Sequence, residues 1–445
     1  MTDSIDFIHD IQFLDLPEHI VHEAVRCLAD TLGVAVGGSQ TALSQIIRGH
    51  AVRQFGGNGA RLWWDGRMVS PAGAALANAM SIDSLDAHDG HKLTKGHVGC
   101  GVIPALIALM QAEGCNSAKE LLTGIVIGYE IGTRAGICLH ASASDYHSSG
   151  AWIALASAAL GARQLGLSKE MTKEALGIAE YHGPRSQMMR CIDAPTMVKD
   201  GSGWGAMAGV SAAYLAKDGF TGAPAITMED DALRGFWSDL GQTWRIDEQY
   251  LKLYPVCRWA QPAVEAVLFL TEKHQITASQ IESVEIETFH EAKRLNVIPN
   301  NTEQAQYSLP FSVAAALVRG SIGVPEVTAS GLMENSILDL AKAVHITETD
   351  EFNNAFPARR FARATLRLKD GIGVISEPTE AKGDPEDKFD DDVVWSKFNG
   401  LVEPVLGNDT AGNLARAIRS LPTDEDTSNL FDLVCQNMEQ QHASR

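Results

Sequence analysis

The sequence predicts a mostly helical protein: a large all-helical domain built from both ends of the chain, with a smaller α+β domain inserted. Three observations carry this. Apolar residues recur at helical spacing through about residue 240. Two stretches, Ile281 to Phe289 and Phe361 to Ser376, alternate apolar and polar at period two, as half-buried strands do. Helical patterning then resumes after Asp392 and runs to the end. The expected boundaries are 1–260 with 393–445 for the helical domain and 261–392 for the α+β domain. A chain of 445 residues calls for two or three such units at roughly 100–200 residues each.

The elements follow in order. Pro17 opens a helix through Leu32, and Gly33, Gly37 and Gly38 read as its end. Pro71 to Leu85 and Val102 to Ala112 are apolar and small enough for buried helices. Asn116 to Leu139 is a long helix, with Ser117 as N-cap and Glu120 completing a capping box. Gly150 to Leu165 and Ser168 to Tyr181 follow, the second capped by Ser168. Trp204 to Lys217 is rich in Ala and Gly, which allows close helix packing. Pro262 to His274, Ser308 to Val318 and Glu334 to Val344 are helices of the inserted domain, and Asp370-Gly371 is a hairpin turn. Gly383 to Asp392 reads as an exposed crossing segment. Val393 to Leu406, Asn413 to Arg419 and Ser428 to Gln440 are the closing helices.

Lys and Arg total 36 against 56 Asp and Glu, a net charge of −20. That argues against nucleic-acid or anionic-membrane partners, which need a basic face. No apolar run reaches the roughly 18 residues of a membrane span, and Met1 to Asp10 lacks the pattern of a signal peptide. The seven cysteines are scattered without a C-x-x-C pair, which fits a reducing, cytoplasmic compartment.

Four segments carry candidate chemistry. Asp83-Ser-Leu-Asp-Ala-His-Asp-Gly-His-Lys-Leu-Thr-Lys-Gly-His97 packs acids, histidines and lysines between apolar helices, including Asp86, Asp89, His91, Lys95 and His97. A solvated turn is the plain alternative. Asp145-Tyr-His147-Ser-Ser-Gly150 places His147 at a helix N-terminus, where the dipole favours a neutral base, or merely beside an N-cap at Ser148. Lys199 precedes a Gly-rich turn that opens a helix, so an ammonium and free N–H groups can meet an anion there; a surface lysine is the competing reading. Lys252-Leu-Tyr-Pro-Val-Cys257-Arg258 lies at the domain junction, a common ligand site. Cys257 reads as packing. If Lys92, Lys95, Arg185, Arg190, Lys199, Lys252 and Arg258 converge, they form a locally positive pocket for carboxylates. His88, His91, His97 and His147 are the candidates for a metal site, but their spacings match no standard zinc set, and none is expected.

These segments resemble, in order and over nearly the whole chain, the MmgE/PrpD family. The similarity rests on Leu28-Ala-Asp-Thr-Leu-Gly33, Asp86-Ala-His-Asp89 with Gly96-His97, Tyr146-His147-Ser-Ser-Gly150, Lys199 with Gly209 to Gly222, Lys252-x-Tyr254-Pro-x-Cys257 and Ser308 to Leu317. The resemblance implies a helical domain with an α+β lid, a homodimer, no cofactor and a small polycarboxylate substrate. It implies His97, His147, Lys199, Asp86 and Asp89 as catalytic groups. Lys252, Tyr254, Cys257, Arg258, Gln261, Lys95 and His91 fall to substrate binding. The activity implied is that of a hydro-lyase of the 2-methylcitrate dehydratase type. Epimerisation or decarboxylation of a similar acid, and an inactive scaffold, stand as alternatives. Gly90, where Thr or Ser is usual, Val98 for Pro, and Gln261 for His depart from the pattern and bear on the substrate of this branch.

Overall fold

A computed structural model describes residues 4–437 of the chain. Its architecture is mostly helical, with one four-stranded sheet and two small two-stranded ones among the described residues. The Gly150–Gln164 helix is central to the helical part. It packs against the helices Gly99–Ala112, Ala118–Ser142, Lys169–His182 and Ser202–Lys217. Small residues set how closely these approach. A Cβ on Gly205 would lie 2.3 Å from the Gly150 carbonyl oxygen, and one on Gly209 would lie 2.2 Å from that of Ala154. Backbone cannot yield as a side chain can, so Gly205→Ala is expected to destabilise by about 1–3 kcal/mol, the range for overpacking. Urea denaturation measures this, and an unchanged midpoint would contradict it.

The closing helix Asp391–Leu406 lies along Glu18–Gly38, joining the two ends of the chain. Here the glycines differ from their sequence reading. Gly33 and Gly37 sit inside the helix, which runs through Gly38; a Cβ on either would press on Phe398 or Leu401 at 3.2 Å. They mark where a neighbour comes close rather than where the helix stops.

The sheet has the order Val344–Glu348, Ile281–Thr288, Arg363–Leu368, Gly373–Ile375. Its first pair is parallel and the other two are antiparallel. The expected Asp370-Gly371 turn closes the last hairpin, with Gly371 at φ +88°. The helices Gln261–His274 and Leu309–Arg319 pack on each other and against this sheet. Ser308 caps the second by accepting the Phe311 N–H.

Three further expectations change. Ser117 caps the Ala118–Ser142 helix, but Glu120 does not close the capping box. Its carboxylate takes hydrogen bonds from Arg163 Nε and Nη2 at 2.7 and 2.9 Å, a charged pair that outcompetes a single N–H. That same helix is long and apolar enough, by length and composition, to cross a membrane, contrary to the run-length reading, yet its apolar window is 94% buried within the protein. The last helix spans Ser428–Val434; the part of the expected helix at 438–440 lies outside the described residues.

Candidate active site

The ionisable segment after the Pro71–Asp83 helix is the centre of the site, and three remote parts of the chain hold it. Lys397, from the closing helix, donates to Asp30 Oδ1 at 2.5 Å and to the Ala87 carbonyl at 2.7 Å. Gln306, at the end of the short Thr302–Gln306 helix, accepts the Asp86 N–H at 3.0 Å and donates to the Ser84 carbonyl at 2.9 Å. Residues Gly90–His91 pair as a short antiparallel strand with Gln249–Tyr250. The segment then turns back through Lys95, at φ +54°, to Gly96.

Within this frame lies a buried cluster. The Lys252 ammonium bonds the Asp86 carboxylate and, at 3.0 Å, the Asp86 carbonyl. Lys199, at φ +50°, extends to Gln306 Oε1 at 2.5 Å and lies 4.7 Å from the Tyr307 ring centre. His97 Nδ1 sits 2.5 Å from the Asp89 carbonyl oxygen. A carbonyl only accepts, so Nδ1 carries the hydrogen and Nε2 presents its lone pair. That Nε2 faces Asp86 Oδ1 at 3.8 Å. The His88 ring stands edge-on to His97, 4.3 Å between centres, with its Nε2 3.4 Å from Asp83 Oδ1. Ser149 accepts the His97 N–H at 2.9 Å and donates to the Asp200 carboxylate.

Electrostatics sort these groups. Burial raises the Asp86 carboxyl, but Lys252 and then Lys199 outweigh it and hold it well below the usual range. Asp83 is likewise raised by burial, yet held low by its His88 hydrogen bond and the nearby charges. Burial, with His88 and Lys252 adding to it, pushes His97 well below its ordinary value, so its imidazole is neutral. Burial first, then proximity to Asp83, lifts Asp200 to about 7; burial and Asp30 lift Asp89 to about 6. An acid raised on folding is ionised in the unfolded chain while still protonated in the folded one. For Asp200 that window runs from about pH 4 to 7, where stability falls as pH rises. Asp200→Asn is expected to flatten this slope in pH-dependent melts; an unchanged slope would contradict the assignment.

Of the predicted residues, the structure brings together Asp86, Asp89, His97, Lys199 and Lys252. The others make their own contacts around it. His91 bonds Glu248 at 2.9 Å. Arg258 is spent on Asp384 at 2.6 Å and on the carbonyls of Leu251, Ala381 and Lys382. Gln261 donates to the carbonyls of Tyr254 and Val256, and the Tyr254 hydroxyl turns to Glu265 at 3.0 Å. Cys257 donates its N–H to the Gln306 carbonyl, and burial raises its thiol to about 12. His147 stacks on His140 at 6.4 Å between centres and donates its N–H to His140 Nε2 at 3.0 Å. Lys95 lies 4.0 Å over the Tyr146 ring. Ser149, not Ser148, precedes the Gly150–Gln164 helix as its cap residue.

The expected convergence of seven cations also changes. Lys92 pairs with Asp384 and Glu386, and Arg185 and Arg190 are not buried. Lys199 and Lys252 enter the cluster, where Asp86 already answers Lys252. Asp83, Asp200, Gln306 and Tyr307 were not assigned roles from sequence, and His88 only as a candidate metal ligand. Asp83 and His88 lie within the segment already singled out, while Gln306 and Tyr307 carry no local pattern that marks them. The ligand atoms of Asp86, His88 and His97 lie within 4.8 Å of one another, a spacing that can hold a metal ion. The Lys252 ammonium on Asp86, with Lys199 adjacent, sets two positive charges against a third.

The cluster thus sets a neutral imidazole beside a salt-bridged carboxylate, with two lysine ammonium groups buried around them. The chain belongs to the MmgE/PrpD family: the MmgE/PrpD N-terminal domain matches residues 4–245 and the MmgE/PrpD C-terminal domain residues 254–423. Its curated relatives are enzymes. Cis-aconitate decarboxylase of Mus musculus is 25% identical over 98% of this chain and 94% of its own length. The enzyme of the same name from Aspergillus terreus is 22% identical over 94% and 92%. The mitochondrial 2-methylcitrate dehydratase of Yarrowia lipolytica is 24% identical over 83% and 77%.

Proposed function

We propose that the protein is a lyase that removes a proton next to a carboxylate on a small di- or tricarboxylic acid and expels a β-hydroxyl as water. One observation carries this reading: His97 is held as the neutral tautomer with its Nε2 lone pair directed at an ionised carboxylate 3.8 Å away. That Oδ1 already accepts from Lys252, so a proton taken onto Nε2 meets a carboxylate that is held in place and charged. A Cα proton taken by Nε2 makes an imidazolium that Asp86 stabilises. The electron pair left on carbon delocalises into the adjacent carboxylate, where Lys199 offers its charge; its partners, the Gln306 amide and the Tyr307 ring, are neutral. The departing hydroxyl needs a proton, and Asp200, lifted to about 7, is the carboxyl best placed in acidity to hold one near neutral pH.

Decarboxylation is a second reading, favoured by the activity for which several relatives are named. In it the carbon–carboxylate bond breaks, CO2 leaves, and the electron pair stays on carbon until a buried acid delivers a proton. Mass spectrometry of a mixed di- and tricarboxylic acid pool, before and after incubation, separates the two. Loss of water from one member supports elimination, loss of CO2 supports decarboxylation, and an unchanged pool contradicts both.

A further inference from the structure

The cluster above accounts for one carboxylate of the substrate. A second group of cations lies nearby without a carboxylate of its own. Arg360 follows the cis Phe356–Pro357 bond in the inserted part and is 3% exposed. Its Nη2 donates to the Lys92 carbonyl at 3.1 Å, while Nε and Nη1 make no hydrogen bond. Its ring neighbour is Tyr250, 5.4 Å between the guanidinium and the ring centre. Leaving guanidinium N–H groups buried and unanswered is costly, and native structures seldom do so without a ligand or ion in view.

Lys95 sits beside it. Its ammonium rests on the Tyr146 ring, with Glu291 as a more distant charge. Burial and the adjacent Arg360 push Lys95 down to about 8, the mark of two cations with no anion between them. In a chain of net charge −20, placing two cations together in a covered site is a specific arrangement rather than a general surplus. Both groups border the first cluster. Arg360 reaches the Lys92 carbonyl and stands over Tyr250, whose strand pairs with Gly90–His91, and Lys95 belongs to the same turn, so both cations adjoin the segment that carries Asp86 and His97.

We propose that Arg360, with Lys95 beside it, is the subsite for a second carboxylate of the substrate, making the enzyme selective for di- and tricarboxylic acids over monocarboxylic ones. This rests on the reading of the first cluster as a site for a carboxylic acid. It makes Arg360 a specificity-determining residue beside the Asp86–His97 segment.

Isothermal titration of citrate, succinate and propionate into the wild type, Arg360→Met, Arg360→Lys, Lys95→Met and Lys199→Met tests it. Arg360→Met and Lys95→Met are expected to weaken citrate or succinate by about tenfold or more, the size of one lost charge-assisted hydrogen bond. Propionate should bind these variants as it binds the wild type, and Arg360→Lys should retain most of the affinity. Should Arg360→Met not fold, Lys95→Met, at a half-buried side chain with no hydrogen bond to lose, carries the same comparison. Unchanged citrate and succinate binding in both, with loss in Lys199→Met, overturns the second subsite and leaves the first intact. A wild type that binds none of the three acids overturns both.

Discussion

His97→Asn is expected to lower kcat by about 10²–10⁴-fold, the usual contribution of a positioned general base. The substitution is chosen because the asparagine amide can still donate to the Asp89 carbonyl, as Nδ1–H does now. The loop should therefore keep its shape while the lone pair facing Asp86 disappears. Substrate affinity is expected to change little, because the carboxylate contacts belong to lysine and arginine. A variant that keeps wild-type kcat would remove His97 from the chemistry. A variant that loses affinity and kcat in equal measure would recast it as a binding group.

Lys252→Met should have the largest effect on stability. Lys252 is fully buried, and two of its contacts go to Asp86. Burial alone lowers an ammonium; the Asp86 charge more than reverses this and raises Lys252 above its ordinary value. Removing the ammonium strands a buried carboxylate, at a cost of about 3–5 kcal/mol for a broken buried pair. Asp86 would then respond by taking up a proton, and with it would go the anion that stabilises the His97 imidazolium. Activity should be lost along with stability. The double variant Lys252→Met/Asp86→Asn is expected to recover part of the stability and none of the activity. Denaturant melts of the two single variants and the double variant measure the coupling. Strictly additive losses would show that the two groups do not act as a pair.

The helices were legible because their signals are local. Ser117, Ser168 and Ser308 each cap the helix they precede, and the period-two stretches are strands. The Asp83–His97 segment stood out because charge of that density between apolar helices has few structural uses. What the sequence did not disclose depends on partners far along the chain. Arg258 looked available for substrate until Asp384, distant in sequence, was seen to hold it. Arg360 carries no local mark that separates it from its neighbour, yet Arg359 pairs with Glu380 at the surface and Arg360 is buried. Gln306 is one of several glutamines, and only the fold gives it the Asp86 N–H, the Ser84 carbonyl and Lys199 together. Gly33 and Gly37 were read as a helix stop because a glycine that makes room for Phe398 and Leu401 leaves the same local mark.

The central claim is that an imidazole lone pair at residue 97 takes a carbon-bound hydrogen beside a carboxylate. Proton NMR of the acid identified in the incubation experiment, with enzyme in deuterated water, reads that step directly. The wild type should wash deuterium into the position next to the carboxylate or into the product, and His97→Asn should not. Equal deuterium uptake by both proteins, or none at that carbon in either while product forms, would contradict it.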